Sequence, residues 1–180
     1  MSLLNILTTK KYEKELRQKS MEVEIEKITT AEMQKFFKDL QWTMHQADGA
    51  GLAAPQVGKF IRAVCVNMPA RHSLEAKPIA GGPARHSPEA KPIAGGGDSA
   101  QIFINPKILK KSWGKSIVEE GCLSIPGIYG NVKRSKKITI QYLDKEGKQK
   151  KQKYDKIPAR ILQHEIDHLD GILFVDKIIK

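Results

Sequence analysis

The chain has 180 residues, which is the size of one ordinary domain and enough to bury a core. Hydrophobic residues make up 40% of it and charged residues 28%, a balance typical of folded globular proteins. Its apolar runs are too short to span a bilayer, its start lacks a signal-peptide pattern, and it has only two cysteines. We therefore expect neither a membrane protein, a secreted protein, a collagen nor a disulfide scaffold.

Basic residues outnumber acidic ones by 31 to 20, which leaves a net charge of +11. The excess is concentrated between Lys133 and Lys156, where ten Lys or Arg and three Asp or Glu give +7. Such a cluster fits an anionic partner, but a charged strand that stays in solvent explains the same residues and is the preferred interpretation. Contact with the ribosome through residues 133–156 is therefore one hypothesis, while binding to a membrane or to specific DNA is not expected.

The first half of the chain predicts one helix followed by one strand. Thr29 and Glu32 fit a capping box, in which a hydroxyl and a carboxylate satisfy free backbone donors at the start of a helix. The helix ends at Asp48, and the short β-branched run of residues 60–66 predicts a buried strand. The apolar residues that recur at helical spacing are Met33, Phe36, Phe37, Leu40 and Met44.

A segment rich in Pro, Gly and Ala repeats itself after this strand. Residues 69–82 are followed by residues 83–96, which differ only in having Pro88 where the first copy has Leu74. The repeated sequence offers few apolar side chains for packing and many residues typical of turns. We interpret about 69–97 as a duplicated low-complexity loop, inserted into a single catalytic domain that spans residues 1–180.

The second half is rich in strand signals and ends in a helix. Residues 101–105 predict a strand, and Lys137–Leu143 alternates cleanly before a hairpin turn. The return strand to Tyr154 is mostly Lys and Gln, which is typical of an exposed sheet edge. A helix follows from Ala159 to about Leu169. This order predicts an α+β fold with mixed or antiparallel β-sheets packed around the C-terminal helix.

Metal-binding residue types are concentrated on that last helix, in His164-Glu165-Ile166-Asp167-His168. Histidines at positions i and i+4 project from one face, so both imidazoles reach a single metal ion. Glu165 lies beside the first histidine, where it can act on a water without being a ligand. Because apolar residues occupy two faces of the helix, we expect the motif to be buried, and buried His and Glu need partners. We therefore interpret the helix as metal-binding.

A catalytic metal site needs a third protein ligand and an open position. After His168 the chain has no further His or Glu, so we expect the third ligand to come from upstream. Cys122 is the best candidate, because the residues around it predict a turn from which a thiol can point into a cleft. The alternative interpretation makes it a small core residue, as we expect for Cys65 within its strand.

Three segments together resemble the signature motifs of the peptide deformylase family. They are Gly49-Ala50-Gly51-Leu52-Ala53-Ala54-Pro55-Gln56, Glu120-Gly121-Cys122-Leu123-Ser124 and Gln163-His164-Glu165-Ile166-Asp167-His168-Leu169. They occur in the family's order, and the resemblance runs from about Thr29 to Lys177, interrupted by the duplicated loop. Each motif alone is moderately specific, whereas all three together are very specific.

The resemblance implies a hydrolase that removes the formyl group from the N-terminal methionine of newly made polypeptides and releases formate. It also implies one divalent metal ion per chain, usually Fe(II) in the cell, with Zn, Ni or Co as substitutes. The ligands carried over are Cys122, His164 and His168. Metal-bound water would attack the formyl carbon, with Glu165 as general base and then acid. Gln56 and the backbone N–H of Leu123 would polarise the formyl oxygen.

The resemblance further indicates where the peptide would bind. A glycine at position 51 lets the backbone approach an extended peptide, which can pair with it as an added strand. The residues expected to bind the peptide on this basis are Gly51, Ala50 and Gly121. The apolar side chains expected to line the pocket for the methionine side chain are Val118, Ile157 and Ile161.

Two other functions stay open on the sequence. A peptidase that cuts internal bonds would share the helical motif, but it needs a downstream ligand that is missing here. A basic ribosome- or RNA-associated protein with a damaged or secondary metal site would explain the lysine cluster. The family's basic C-terminal helix is not expected beyond Leu169, so a ribosome contact would need another surface. We expect a cytoplasmic location, with an organelle as the alternative.

Overall fold

A computed structural model describes residues 1–68 and 100–179 of the chain. The duplicated loop predicted at about 69–97 lies outside the described residues, so its insertion into a single domain stays a prediction. The strands on either side of it are neighbours, because Asn67 is paired with Ala100. Among the described helices, none has both the length and the apolar character needed to cross a membrane.

Four α-helices lie in the described part of the chain: α1 (Thr9–Leu16), α2 (Ile25–Ile28), α3 (Ala31–Gln46) and α4 (Lys156–Leu169). The helix predicted after Thr29 is α3, but its cap is Thr30, whose hydroxyl accepts the backbone N–H of Met33. The side chain of Glu32, predicted to complete a capping box, forms an ion pair with Lys59. The sequence did not predict α1 or α2, which are short and lie in a polar segment.

Seven strands form one large sheet and one hairpin. They are β1 (Gly51–Ala53), β2 (Ala63–Asn67), β3 (Ala100–Lys111), β4 (Lys115–Cys122), β5 (Ile125–Ser135), β6 (Lys137–Leu143) and β7 (Gln149–Asp155). The large sheet has the order β1-β2-β3-β6-β7, and β4 pairs with β5. Every pair of neighbouring strands is antiparallel, as the α+β prediction allowed.

Two predicted strand boundaries can be compared directly with the structure. The expected edge strand is β7, which lies at one end of the sheet and exposes every side chain except Tyr154. The strand predicted to stop at Asn105 instead bends there, with a φ of 50°, and continues as β3 to Lys111. A register shift against β6 absorbs the bend, so a proline at position 106 does not end the strand.

The large sheet is buried between α3 and α4. In β2, Cys65 faces the α3 side, whereas Val64 and Val66 face α4. All three are fully buried because both faces of the sheet are covered. The β4–β5 hairpin packs against a third apolar cluster that includes Leu16 and Phe174. This packing brings the end of β4 against the buried helix α4.

Candidate active site

Helix α4 presents His164 and His168 one turn apart on the same face. Their ring centroids are 5.1 Å apart. Both rings are buried, and Glu165 between them is only 4% exposed. The helix is buried because apolar residues on its other faces pack against the sheet, as the sequence predicted.

Strand β4 brings Cys122 to these histidines. Its sulfur lies 3.2 Å from Nε2 of His168, and the ligand atoms of Cys122, His164 and His168 all lie within 4.8 Å of one another. The strand ends at Cys122, so the thiol projects at the start of the predicted turn. Cys65 is fully buried in β2, as expected of a core residue, and burial raises the pKa of its thiol.

The donor set fits a divalent cation. Within residues 1–68 and 100–179, Oε2 of Glu165 is a buried side-chain atom without a hydrogen-bond partner. An unpartnered buried polar atom is costly, so this carboxylate oxygen next to the ligand-bearing His164 indicates a site built for a further group. One thiolate and two imidazoles suit a borderline-soft cation, although ligand type does not separate Fe(II) from Zn(II).

A buried carboxylate, Glu120, holds the first histidine in place. Its Oε2 accepts the Nδ1 proton of His164 at 3.0 Å, and the side chain is 0% exposed. Burial tends to raise the pKa of Glu120, but the hydrogen bonds from His164 and Arg134 outweigh it and lower the pKa to about 2. Glu120 is therefore ionised near neutral pH. The bond fixes the imidazole tautomer that leaves Nε2 free for a metal.

Two guanidinium groups complete the environment of Glu120. Arg134 donates from Nε at 2.6 Å and from Nη2 at 2.8 Å, while Arg160 donates to Oε1 at 2.6 Å. Arg160 is anchored in turn to the backbone carbonyls of Ser116 and Val132. No role was predicted from the sequence for Glu120 or for either arginine. The available signal was the position of Glu120, a carboxylate two residues before the candidate ligand Cys122.

The C-terminal segment is tied to the same network through Asp167. This carboxylate accepts hydrogen bonds from Arg134 at 2.7 Å and from Lys177 at 2.6 Å. Asp167 lies on α4 next to His168, so the contacts restrain the helix at its metal-facing end. Asp167 was predicted only as part of the helical motif.

Gln56 lies beside Cys122 and is held at both ends of its amide. Its Oε1 accepts the backbone N–H of Ala53 at 2.8 Å, and its Nε2 donates to Oγ of Ser124 at 3.1 Å. The Nε2 atom also lies 3.5 Å from the sulfur of Cys122. An amide donor is thus fixed next to the candidate metal ligands.

A small cleft opens above this cluster. It is lined by Gly49, Ala50, Gly51, Gln56, Gly121, Cys122, Leu123, His164 and Glu165. The structure therefore places every predicted catalytic residue and the predicted peptide-binding residues Ala50, Gly51 and Gly121 around one opening. A Cβ at position 51 would lie 2.5 Å from Oε1 of Glu165, so the backbone there is in direct contact with this carboxylate.

Burial has a large effect on Glu165. Removal from water raises the pKa of its carboxyl to about 7, and the nearby positive charge of Arg134 opposes this rise. Perturbed carboxyl groups of this kind, when they lie in a cleft, are typical of functional sites.

The predicted methionine-pocket residues are not among those that line the cleft. Ile161 is buried in the cluster between α4 and the sheet, and Ile157 packs against the same cluster. Val118 lies on β4 with 45% of its surface exposed. Their assignment to a methionine pocket stays a prediction.

Comparisons with known proteins assign the chain to a family. The family model for polypeptide deformylase matches residues 4–180. The chain belongs to the polypeptide deformylase family. Peptide deformylases from Pseudothermotoga lettingae and Thermomicrobium roseum are 37% and 39% identical to it over 163 residues, which is 91% of this chain and 77% and 80% of theirs.

Solved structures of deformylases share the fold. The Thermotoga maritima enzyme superposes with a TM-score of 0.78 at 28% identity, with all of both chains covered. A probable peptide deformylase from the Synechococcus phage S-SSM7 has a TM-score of 0.75 at 38% identity, covering 97% of this chain and 99% of the phage chain. Membership of the deformylase family implies a metal ion, which the cluster of Cys122, His164 and His168 is suited to hold.

Proposed function

We propose that this chain removes the formyl group from the N-terminal methionine of newly made polypeptides and releases formate. As a member of the deformylase family it is a hydrolase. The observation that carries the proposal is the convergence of Cys122, His164 and His168 beside Glu165 at the base of one cleft.

The proposed cofactor is one divalent cation bound by Cys122, His164 and His168. We propose Fe(II) in the cell, with Zn, Ni or Co able to replace it. When bound, such a cation lowers the pKa of a coordinated water and polarises a carbonyl oxygen. The ionised Glu120 supports this role, since it orients His164.

Glu165 is the proposed proton carrier. Its buried Oε2 has no hydrogen-bond partner within residues 1–68 and 100–179, so it is available to accept a proton from the attacking water. The same carboxyl then donates that proton to the peptide nitrogen as the C–N bond breaks. Formate and a free amino terminus are the products, and Glu165 returns to its starting state.

Gln56 and Leu123 are the proposed donors to the formyl oxygen. The amide of Gln56 is already fixed by Ala53 and Ser124, so little reorganisation is needed when an oxyanion forms. Leu123 follows Cys122 directly and lines the cleft, and its backbone N–H is the second proposed donor. One preorganised donor of this kind is typically worth about 3 kcal/mol in the transition state.

The peptide is proposed to bind along β1. This strand is the end member of the large sheet, and its first residue, Gly51, lines the cleft. An extended peptide added there would place its first residue near Glu165, with Ala50 and Gly121 on either side. A structure of an Acinetobacter baumannii deformylase, similar at a TM-score of 0.78 and 29% identity, has the peptide Met-Ala-Ser bound. The superposition covers 98% of this chain and 99% of the Acinetobacter baumannii chain.

We propose a cytoplasmic site of action, where formylated chains are made, and a ribosome contact through residues 133–156. Most of the lysines of this region are exposed on β6 and β7 or between them. Arg134 is an exception, because it is buried against Glu120 and contributes no surface charge. An organelle remains the alternative location.

The experiment that tests the proposed activity compares three peptides with the metal-loaded enzyme. Formyl-Met-Ala-Ser should release formate, whereas acetyl-Met-Ala-Ser and a longer peptide with only internal bonds should not be cleaved. Purification without oxygen protects a Fe(II) site and its thiolate ligand. Cleavage of the internal bonds would favour a peptidase, and no cleavage by folded, metal-loaded protein would favour a damaged site.

A further inference from the structure

Trp113 is the most exposed large apolar side chain in the described structure. It lies between β3 and β4 with 99% of its surface in solvent. Tryptophan is normally largely buried, so a fully exposed indole at a loop tip points to an interaction with another molecule. Nothing in the proposed deformylation mechanism uses it.

Backbone hydrogen bonds bring two other segments to the same corner. Ser112 donates its N–H to the carbonyl of Lys137 at 2.9 Å, and Lys136 donates to the carbonyl of Gly114 at 2.9 Å. Lys156, at the start of α4, donates its N–H to the carbonyl of Lys136 at 3.0 Å. We call this surface the lysine corner, which consists of Trp113 with the exposed residues Lys111, Lys115, Lys136, Lys137 and Lys156.

The positive charge of the lysine corner is largely uncompensated. Across residues 1–68 and 100–179, the ion pairs of the structure include none of these five ammonium groups. Lys115 donates to the hydroxyl of Ser135 at 2.7 Å, which leaves its charge in place. One acidic residue, Asp155, lies opposite Lys137 in the sheet register.

We propose that the lysine corner binds single-stranded RNA. Exposed lysines attract consecutive phosphates, and an exposed aromatic ring offers a face on which an unpaired base can stack. A membrane surface fits less well, because interfacial binding scales with buried apolar area and Trp113 is flanked by Ser112 and Gly114. Duplex RNA also fits less well, since its bases are not free to stack on the indole.

The lysine corner is separate from the cleft. Strand β4 runs from Lys115 at the corner to Cys122 at the candidate metal site. Seven residue steps along a strand correspond to about 23 Å. An RNA segment bound at the corner therefore leaves the cleft open to a peptide, and the proposal does not depend on the deformylase activity.

The chain's two tryptophans make a direct test possible. In a Trp42→Phe variant, Trp113 is the remaining tryptophan, so selective excitation of tryptophan reports on it alone. Titration with a single-stranded oligouridylate 12-mer should quench this emission through stacking. Binding should weaken steeply with salt. The fluorescence anisotropy of labelled RNA measures the affinity of the unaltered protein. The Trp113→Ala variant should bind this RNA about 5- to 150-fold more weakly, whereas Trp113→Phe should largely keep the affinity.

The role of the lysines in the lysine corner can be tested with two triple variants that remove the same charge. Changing Lys111, Lys136 and Lys137 together to Gln should lower the log–log salt slope by about 2, at roughly 0.7 per lost phosphate contact on a single strand. Changing the exposed Lys10, Lys14 and Lys38 to Gln removes the same charge elsewhere and should leave most of the binding intact. Far-UV circular dichroism and thermal unfolding of all variants check that they are folded.

Three results would overturn the proposal. The first is that the 12-mer does not bind even at low salt. The second is that the two triple-lysine variants lose the same amount of RNA affinity. The third is that anionic phospholipid vesicles quench Trp113 but RNA does not. The last result would assign the corner to a membrane surface.

Discussion

Glu120 and His164 form the contact that links the charged interior of the protein to its candidate metal centre. Oε2 of Glu120 accepts the Nδ1 proton of His164 at 3.0 Å, and both side chains are buried. Because the carboxylate is also bound by Arg134 and Arg160, its position is fixed from three sides. The orientation of the metal ligand therefore depends on residues from β4, β5 and α4 together.

Replacing Glu120 with Gln should weaken both the fold and the metal site. Within the described part of the chain, the variant removes the only carboxylate that Arg160 contacts and one of the two that Arg134 contacts, which should cost about 3–5 kcal/mol in the free energy of unfolding. Loss of the oriented imidazole should reduce metal affinity about 10- to 100-fold. Chemical denaturation and chelator competition measure the two effects. The exposed neighbour Glu119→Gln is the control, and equal behaviour of both variants would contradict the role of Glu120.

Gly51→Ala should reduce activity while the protein stays folded. The added methyl group would lie 2.5 Å from Oε1 of Glu165, which forces the carboxylate or the strand to move. A misplacement of about 1 Å at a reacting group costs about 100-fold in rate. Formate release and thermal unfolding measure activity and fold. Gly114→Ala is the control, since its nearest atom is 3.7 Å away and belongs to a flexible lysine side chain. Full activity of the Gly51 variant would show that the contact is unimportant.

The two cysteines should respond in opposite ways to replacement by Ala. Cys122→Ala removes a proposed ligand, so stoichiometric metal and formate release should be lost together. Cys65→Ala leaves the donor set intact and creates a small space in the core, so metal content should persist with a stability loss of about 1 kcal/mol. Elemental analysis of both purified variants decides between them. Full metal content and activity in the Cys122 variant would remove it from the ligand set.

Asp39 should make the stability of the protein sensitive to acid. Hydrogen bonds from Lys35 and from the backbone N–H of Ser2 hold the pKa of this carboxyl below its usual value. A group with a lowered folded-state pKa contributes stability above its unfolded pKa, and that stability is lost as the pH falls below about 4. Asp39→Asn should cost about 1 kcal/mol at pH 7 and less at lower pH. Denaturation at several pH values measures this, and an unchanged acid dependence would exclude the effect.

The sequence predicted the parts of the site that depend on local spacing. The i, i+4 histidines reach one point because a helix repeats every 3.6 residues. Cys122, the best upstream candidate on the sequence, lies beside them in the structure. The α+β class also followed from the order of the elements, but the prediction of mixed or antiparallel sheets did not choose between the two. The cap at Thr30 was missed by one residue, since Thr29 and Thr30 are both suitable caps.

The sequence could not predict the parts that depend on strand pairing. Strands β4 and β5 contain Gly and Pro residues typical of turns, so the hairpin was not recognised. Without it, nothing places Arg134 and Arg160 on Glu120, because these three residues meet only when β4, β5 and α4 pack together. The lysine corner could not be predicted either, because its segments are separated in the sequence and are joined only by backbone hydrogen bonds between strands and loops.

The most direct test of the proposed mechanism compares the wild-type enzyme with Glu165→Gln. Metal content per chain and formate release from formyl-Met-Ala-Ser are measured on the same preparations. Glutamine keeps the shape of the side chain but cannot carry the proton, so we expect full metal content and a turnover lowered about 100- to 10,000-fold. Wild-type turnover in the variant would contradict the assignment of Glu165, and with it the proposed chemistry of the cleft.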